Sequence, residues 1–243
     1  MPANVHIGTS GWHYKHWLGL FYPETTPSSE MLPFYLRYFD TVEVNNTFYQ
    51  LPAPTTFDYW RENSSTKFCF AVKASRYITH MKKLKDPESS ITNFFSRVEL
   101  LDRKLGPILF QLPPRWKFNH HRLAEFLRIL PKQHQYVFEF RDESWLVPQV
   151  FDQLGEHNAA LCIHDLGTMR TPVEITADFT YIRFHGPGDA KYSGSYSGRE
   201  LQKWANRINE WRKSLSSIYV YFNNDVGGWA VQNALDLKQM ISS

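Results

Sequence analysis

Acidic and basic side chains in this chain sit at the ends of short apolar runs, where they would build a site rather than a solvated surface. Glu43 and Asn45 fall in Val42-Glu-Val-Asn45, Lys73 closes Phe68–Lys73, and Gln111 lies at the end of Pro107–Leu112. Glu139 and Arg141 close Tyr136–Arg141, and His164 and Asp165 come at the end of the run that starts at Ala160. Arg183 and His185 close Phe179–His185, while Tyr221, Asn223 and Asp225 end or follow Ile218–Asn223. Side chains alternate along a strand, so in each run the apolar residues share one face and these polar residues the other. Such a set can do acid–base work. Glu43 or Glu139 would give or take a proton, Lys73, Arg141 and Arg183 would balance negative charge, and His185 would shuttle a proton near neutral pH. The plainer alternative is a buried ionic network that fills a core without chemistry, since charges inside strands need partners in either case.

A second group lies late in the chain. His185-Gly-Pro-Gly188 leads into a Gly/Ser/Tyr-rich loop that starts at Lys191, and Asn223-Asn-Asp-Val-Gly-Gly228 leads into a helix. Arg183, His185, Lys191 and the amides around Gly227 and Gly228 are expected to hold an anion, because helix N-terminal amides attract negative charge. Ordinary turn chemistry of the glycines is the competing reading. His164, Asp165, His185, Glu43 and Glu139 are ligand types that suit a divalent metal. No HxH or HExxH spacing supports one, so a metal stays open as a cofactor and no residue is assigned to it. Glu43 and Glu139 also have the residue types of a glycosidase pair, whose separation is not legible in sequence. Trp12, Tyr14, Trp17, Phe48, Tyr49, Trp116, Trp145 and Trp229 all follow apolar runs. They are expected to stack on a planar or sugar ligand, with Trp145 in contact, or else to pack the loops down.

The elements that must position these groups repeat. Eight strand-like segments are predicted: Val5–Gly8, Thr41–Asn45, Phe68–Lys73, Pro107–Leu112, Tyr136–Arg141, Ala160–His164, Phe179–His185 and Ile218–Asn223. They recur about every 30 residues, the size of one βα unit. Helical spacing fills the intervals at Ser90–Leu105, His121–Leu130 and Gly228–Ile241. Ser197-Gly-Arg-Glu200 is a capping box that opens a helix with Leu201, Trp204, Ile208, Trp211 and Leu215 on one face. The stretch from Gly167 to Ala177 has weak helical character. Eight such units predict an α/β fold, a (β/α)8 TIM barrel, forming one domain over residues 1–243 and bearing its site on the strand C-terminal ends. A doubly wound sheet is the rival, but GxGxxG and GxxxxGK[ST] are both absent.

Composition narrows the function classes. Of 243 residues, 42% are hydrophobic, 21% charged and 16% aromatic, too apolar for a disordered chain. No apolar run reaches the roughly 18 residues of a membrane span, so no membrane partner is expected. The formal net charge of +3 is milder than the usual footprint of a nucleic-acid binder. Cys69 and Cys162 lie in strand-like runs without zinc spacing and read as buried free thiols. The opening residues lack a signal-peptide pattern, and a cytoplasmic setting is expected.

Several motifs also resemble the YecE-like family. They include Ile7-Gly-Thr-Ser-Gly-Trp12, Phe21-Tyr-Pro23, Val42-Glu-Val-Asn-Asn-Thr-Phe-Tyr49 and Phe70-x-Val-Lys73. Leu109-Phe-Gln-Leu-Pro-Pro114, Glu139-Phe-Arg-x-x-Ser-Trp145, Arg183-Phe-His-Gly186, Tyr192-x-Gly194-x-Tyr196 and Tyr221-Phe-Asn-Asn224 continue the match in order. That bacterial and archaeal family is catalogued as a domain of unknown function. The resemblance implies a TIM barrel and a shared strand-end site, but no substrate or reaction. Its barrel is similar to those of metal-dependent endonucleases and sugar isomerases, a likeness of fold alone. The dense His set of such endonucleases is missing here. The leading expectation is an enzyme acting on a small anionic ligand, phosphorylated or sugar-like. The alternatives are a nucleic-acid-binding or phosphodiester-processing protein and a non-catalytic ligand sensor.

Overall fold

The computed structural model of the protein describes residues 3–166, 169–188 and 192–242. The chain folds as a (β/α)8 TIM barrel, in which parallel strands alternate with helices. The strands are β1 (Asn4–Thr9), β2 (Thr41–Val44), β3 (Cys69–Lys73), β4 (Leu105–Gln111), β5 (Tyr136–Glu139), β6 (Ala160–Leu166), a two-residue β7 (Met169–Arg170), β8 (Phe179–Phe184) and β9 (Ser217–Phe222). They lie in the order β1-β9-β8-β6-β5-β4-β3-β2, with β7 antiparallel on β6. The ends of that order meet at a parallel bridge between Ser10 and Glu43. All eight predicted strands are present. Strands such as β2, β5 and β8 are buried along their whole length, as expected when both faces of a parallel sheet are covered.

The helices are α1 (Met31–Tyr35), α2 (Asn46–Tyr49), α3 (Pro54–Glu62), α4 (Glu88–Val98), α5 (His120–Ile129), α6 (Pro148–Glu156), α7 (Gly198–Trp211) and α8 (Trp229–Ser242). The capping box forms as the sequence predicts. The Glu200 carboxylate accepts from the Ser197 amide at 2.9 Å, and the Glu200 amide donates to the Ser197 hydroxyl. Leu201, Ala205 and Ile208 are the buried face of α7, while Trp204, Trp211 and Leu215 are only half-buried. Among the described residues, no helix lies between β6 and β8, in line with the weak pattern there. Cys162 is buried, whereas Cys69, at the first position of β3, is half-buried.

The chain divides into two compact units. One comprises Met1–Glu43, His164–Arg170 and Asp178–Ser243; the other comprises Val44–Ile163 and Thr171–Ala177. In the first unit, β1 and β8 both pair with β9, with Arg183 beside Tyr221 and Gly8 beside it on the other flank. Gly8 is required there by space. A Cβ on it would lie 2.4 Å from the Thr41 carbonyl oxygen, so any side chain would drive β1 off β2. In the second unit, β3, β4 and β5 run in parallel register, with Lys73 opposite Leu109 and Gln111 opposite Glu139. A row of Phe rings, Phe110 on Phe138 at 5.4 Å and Phe126 edge-on to Phe110 at 5.0 Å, packs α5 onto these strands.

Candidate functional site

The polar residues singled out in the sequence gather into two clusters, one inside each unit. In the first unit the centre is Glu43, at the end of β2 and fully buried. Its Oε1 accepts from Arg183 Nη2 at 2.8 Å and its Oε2 from the Tyr181 hydroxyl at 2.6 Å. Tyr181, Arg183 and His185 alternate along β8 and its end, which is why all three meet on one face. Burial alone would raise the Glu43 carboxyl, but the Arg183 guanidinium and the hydrogen bonds outweigh it and hold it below the ordinary carboxylate range. Tyr221 is equally enclosed, its hydroxyl 2.6 Å from Thr41 Oγ1. Arg183 Nη1 lies 3.3 Å from His185 Nε2, and the His185 ring stands edge-on to His164 at 5.8 Å.

Asp165 pins the loop that follows β8. It accepts from the His185 amide at 3.0 Å and from the Tyr196 hydroxyl at 2.7 Å, and that hydroxyl in turn accepts from the Gly186 amide at 2.8 Å. Burial raises both groups, Asp165 above the usual aspartate range and Tyr196 further above its own because Asp165 adds its charge. Gly186 has φ of 100°, and a Cβ there would sit 2.2 Å from the Ser193 carbonyl oxygen. Tyr196→Phe removes both bonds at once and should lower unfolding free energy by about 1–3 kcal/mol. Urea unfolding measures this; a change below a few tenths of a kcal/mol would show the clamp to be idle.

The expected late anion site is changed by this geometry. Arg183 and His185 are enclosed, with the guanidinium engaged by Glu43, and the Gly228 amide donates to the Asp225 carbonyl in a tight turn. Gly227 and Gly228 serve that turn with φ near 70°. Asp225, whose carboxyl burial raises, receives Trp17 Nε1 on its carbonyl at 2.9 Å and His16 against its carboxylate at 3.3 Å. The Asn223 amide donates to the Phe184 carbonyl at 2.7 Å, and the residue itself is half-buried. Lys191 lies outside the described residues.

The second unit holds a different arrangement at the ends of β3, β4 and β5. Glu139, fully buried, accepts from Gln111 Nε2 at 2.8 Å and from Arg141, with Cys162 Sγ 3.9 Å from its other oxygen. Asn45 precedes α2, and Thr47 within α2 donates to the Lys73 carbonyl at 2.7 Å. That bond seats Phe48 against Lys73, whose ammonium lies 4.0 Å from the ring centre, a cation–π contact. His80 stands edge-on to the same ring at 5.0 Å. It lies in the π-helical turn Tyr77–Met81 that follows β3, a form frequent at functional sites. Burial, then the charges of Lys73, Arg141 and Arg76, push its pKa down to about 4, with Glu139 acting the other way. At neutral pH this imidazole is uncharged.

Sequence reasoning missed Tyr181, Tyr196 and His80. Tyr181 was legible from its place two residues before Arg183, whereas His80 lies in no apolar run. Trp145 is corrected: it is fully buried, stacked on Phe140 at 5.0 Å, and its indole donates to the Trp116 carbonyl. With no exposed face, it props the loop after β5 rather than touching a ligand. Trp17 is likewise enclosed, and of the eight aromatic positions only Tyr49 and Trp229 are exposed. Among the described residues, no group of three or more His, Cys, Asp or Glu side chains is placed to hold a metal ion, and no helix is long and apolar enough to cross a membrane.

Comparison with known proteins agrees with this architecture. The chain is 26% identical to the UPF0759 protein YunF of Bacillus subtilis over 98% of its own length and 94% of the relative's. It is 25% identical to the UPF0759 protein YecE of Escherichia coli K12, covering 91% of this chain and 87% of that one. A crystal structure of a DUF72 family protein from Thermotoga maritima superposes with a TM-score of 0.87 at 30% identity, over 99% of this chain and 100% of that chain. Residues 6–243, nearly the whole barrel with both polar clusters, match the family described as protein of unknown function DUF72, and the chain belongs to that family.

Proposed function

We propose that this protein is an enzyme acting on a small anionic ligand, phosphorylated or sugar-like, held at the ends of β3, β4 and β5. One observation carries the reading: Lys73 and His80 meet on the Phe48 ring, the ammonium 4.0 Å from its centre and the imidazole edge-on at 5.0 Å, with the charges of Lys73, Arg141 and Arg76 bearing on that imidazole. Cations of this kind suit an anionic ligand, and charge-assisted hydrogen bonds from Lys and Arg are the strong ones. In TIM-barrel enzymes the strand C-terminal ends carry the active site, which supports this position by analogy.

The roles follow from the contacts. Lys73 and Arg141 bind the anion. Glu139 touches Arg141 and Gln111 and acts as a positioning residue that aims both. His80 moves the proton. Its pKa of about 4 is too low for efficient base catalysis at neutral pH, but a bound anion offsets the cations that add to burial in depressing it and raises it towards the useful range. The site therefore prepares its base only when the ligand is in place. Glu43 and His185 then belong to the structural network of the first unit, where both Glu43 oxygens are engaged.

Inorganic phosphate tests this reading. Nuclear magnetic resonance of the histidine rings should show His80 titrating at higher pH as phosphate is added, with the other histidines moving less. A His80 titration that stays put at saturating phosphate overturns the proposal.

A further inference from the structure

Helix α7 carries a charge pattern that neither polar cluster uses. Residues 199–213 hold five Lys and Arg side chains against two Glu, an excess equal to the formal +3 of the whole chain. Both acids are already engaged. Glu200 closes the capping box on Ser197, with the charges of Arg170 and Lys203 reaching it from farther off, and Glu210 pairs with Lys213 at 2.7 Å. Arg199, Lys203 and Arg207 are exposed, and among the described residues none of the three makes an ion pair within 4.0 Å. They recur every four residues, so they form one row on the side opposite the buried Leu201, Ala205 and Ile208, with successive charges about 6 Å apart along the axis. Arg207 lies over two indoles, 5.2 Å from the ring centre of Trp204 and 5.9 Å from that of Trp211, and Trp204 stands edge-on to Phe184 at 5.2 Å. The guanidinium is thus held on a packed aromatic base by cation–π contacts rather than left free in solvent.

We propose that the row Arg199, Lys203 and Arg207 on α7 is a docking track for single-stranded nucleic acid, with phosphates along the row and a base stacked on the Arg207 guanidinium. Three features favour that partner. A spacing of about 6 Å is close to that of successive phosphates in an extended strand. Guanidinium planes are stacking platforms for unpaired bases, and one already ordered by Trp204 and Trp211 loses little freedom on binding. A protein partner would instead need an apolar centre with charges at its rim, whereas here the charges form the centre and the indoles are half-buried at one side. The row lies wholly in the first unit and does not depend on the anion site of the second.

Fluorescence anisotropy of a 5′-labelled oligothymidylate tests the track. The wild type should bind at low salt, and its log affinity should fall with log salt at a slope of about 2 or steeper, for three neutralised phosphates. The triple variant Arg199→Gln/Lys203→Gln/Arg207→Gln should bind at least about tenfold more weakly and lose about 2 from that slope. Arg207→Lys keeps the charge but not the plane, so it should lose affinity several-fold while keeping the slope. All three side chains are exposed and Gln is a good helix former, so an unaltered thermal midpoint checks that the variants are folded. The response of His80 to phosphate should be the same in the triple variant as in the wild type, which separates this surface from the anion site. No binding at low salt, or equal binding by wild type and triple variant, overturns the proposal. Polyglutamate that displaces the oligonucleotide at equal charge overturns it in favour of an acidic protein partner. A duplex that binds more tightly than the single strand overturns the choice of strand.

Discussion

Arg183→Leu should destabilise the fold by about 3–5 kcal/mol, the cost of leaving a buried charge without its partner. Glu43 is enclosed completely, and beside Arg183 it accepts from the neutral hydroxyl of Tyr181. Replacing both partners, Glu43→Met with Arg183→Leu, should cost much less than the single change, because no charge then remains to desolvate. Urea unfolding at pH 7 measures each variant and the coupling between them. The pH dependence gives a second readout with opposite signs. In the wild type the Glu43 carboxyl is held below its unfolded value, so its stabilisation is full above that value and is lost as pH falls through the folded one. Without Arg183, burial is the largest influence left and lifts Glu43 above its unfolded value. The variant should then gain stability on mild acidification where the wild type gains none. A single variant as stable as the double one, or with the wild-type pH profile, contradicts the ion pair's role.

Lys73→Met should weaken binding of inorganic phosphate about 10- to 100-fold, the range expected for one charge-assisted hydrogen bond. The same change should raise the His80 titration from about 4, since Lys73 is the largest of the charges that depress it. Burial and the charges of Arg141 and Arg76 remain, so the value should stay below an ordinary histidine's. Stability follows the same group. His80 takes up its proton more readily unfolded than folded, so the wild type loses stability as pH falls from about 6.5 towards 4. The Lys73→Met variant should show a narrower window of loss. Phosphate affinity unchanged from wild type would remove Lys73 from the site and with it the arrangement on which the proposed function rests. Methionine is unbranched and close to lysine in length, and it leaves no charge to bury beside Phe48, so the fold should survive the test.

The architecture was legible because strand periodicity is local. Alternation in Tyr181-Ile-Arg183-Phe-His185 is enough to place Arg183 and His185 on one face, and the structure finds both there, fully buried. Gln111 and Glu139, from separate segments, each end an apolar run, and the register sets them side by side. That no helix lies between β6 and β8 among the described residues agrees with the weak pattern from Gly167 to Ala177. Trp145 misled because an aromatic residue after a strand has the same sequence signature whether it faces a ligand or closes a loop. Only its stacking on Phe140 separates the two.

Sequence alone determined the fold class, the family and the residue types available at each strand end. The fold class and the strand-end residues follow from covalent order and the period-2 geometry of a strand, and the family from the motifs that resemble it. Tertiary structure decided which charges meet. It joined Glu43 to Arg183, 140 positions apart, and made them a buried ion pair, whereas the charges of Lys73, Arg141 and Arg76 were brought to bear on His80. Our proposal gives the proton-carrying role to His80 rather than to His185. The two histidines have the same intrinsic chemistry; the difference lies in enclosure and in the charges within a few ångströms. Desolvation and Coulomb interaction depend on distances in space, which residue order does not contain.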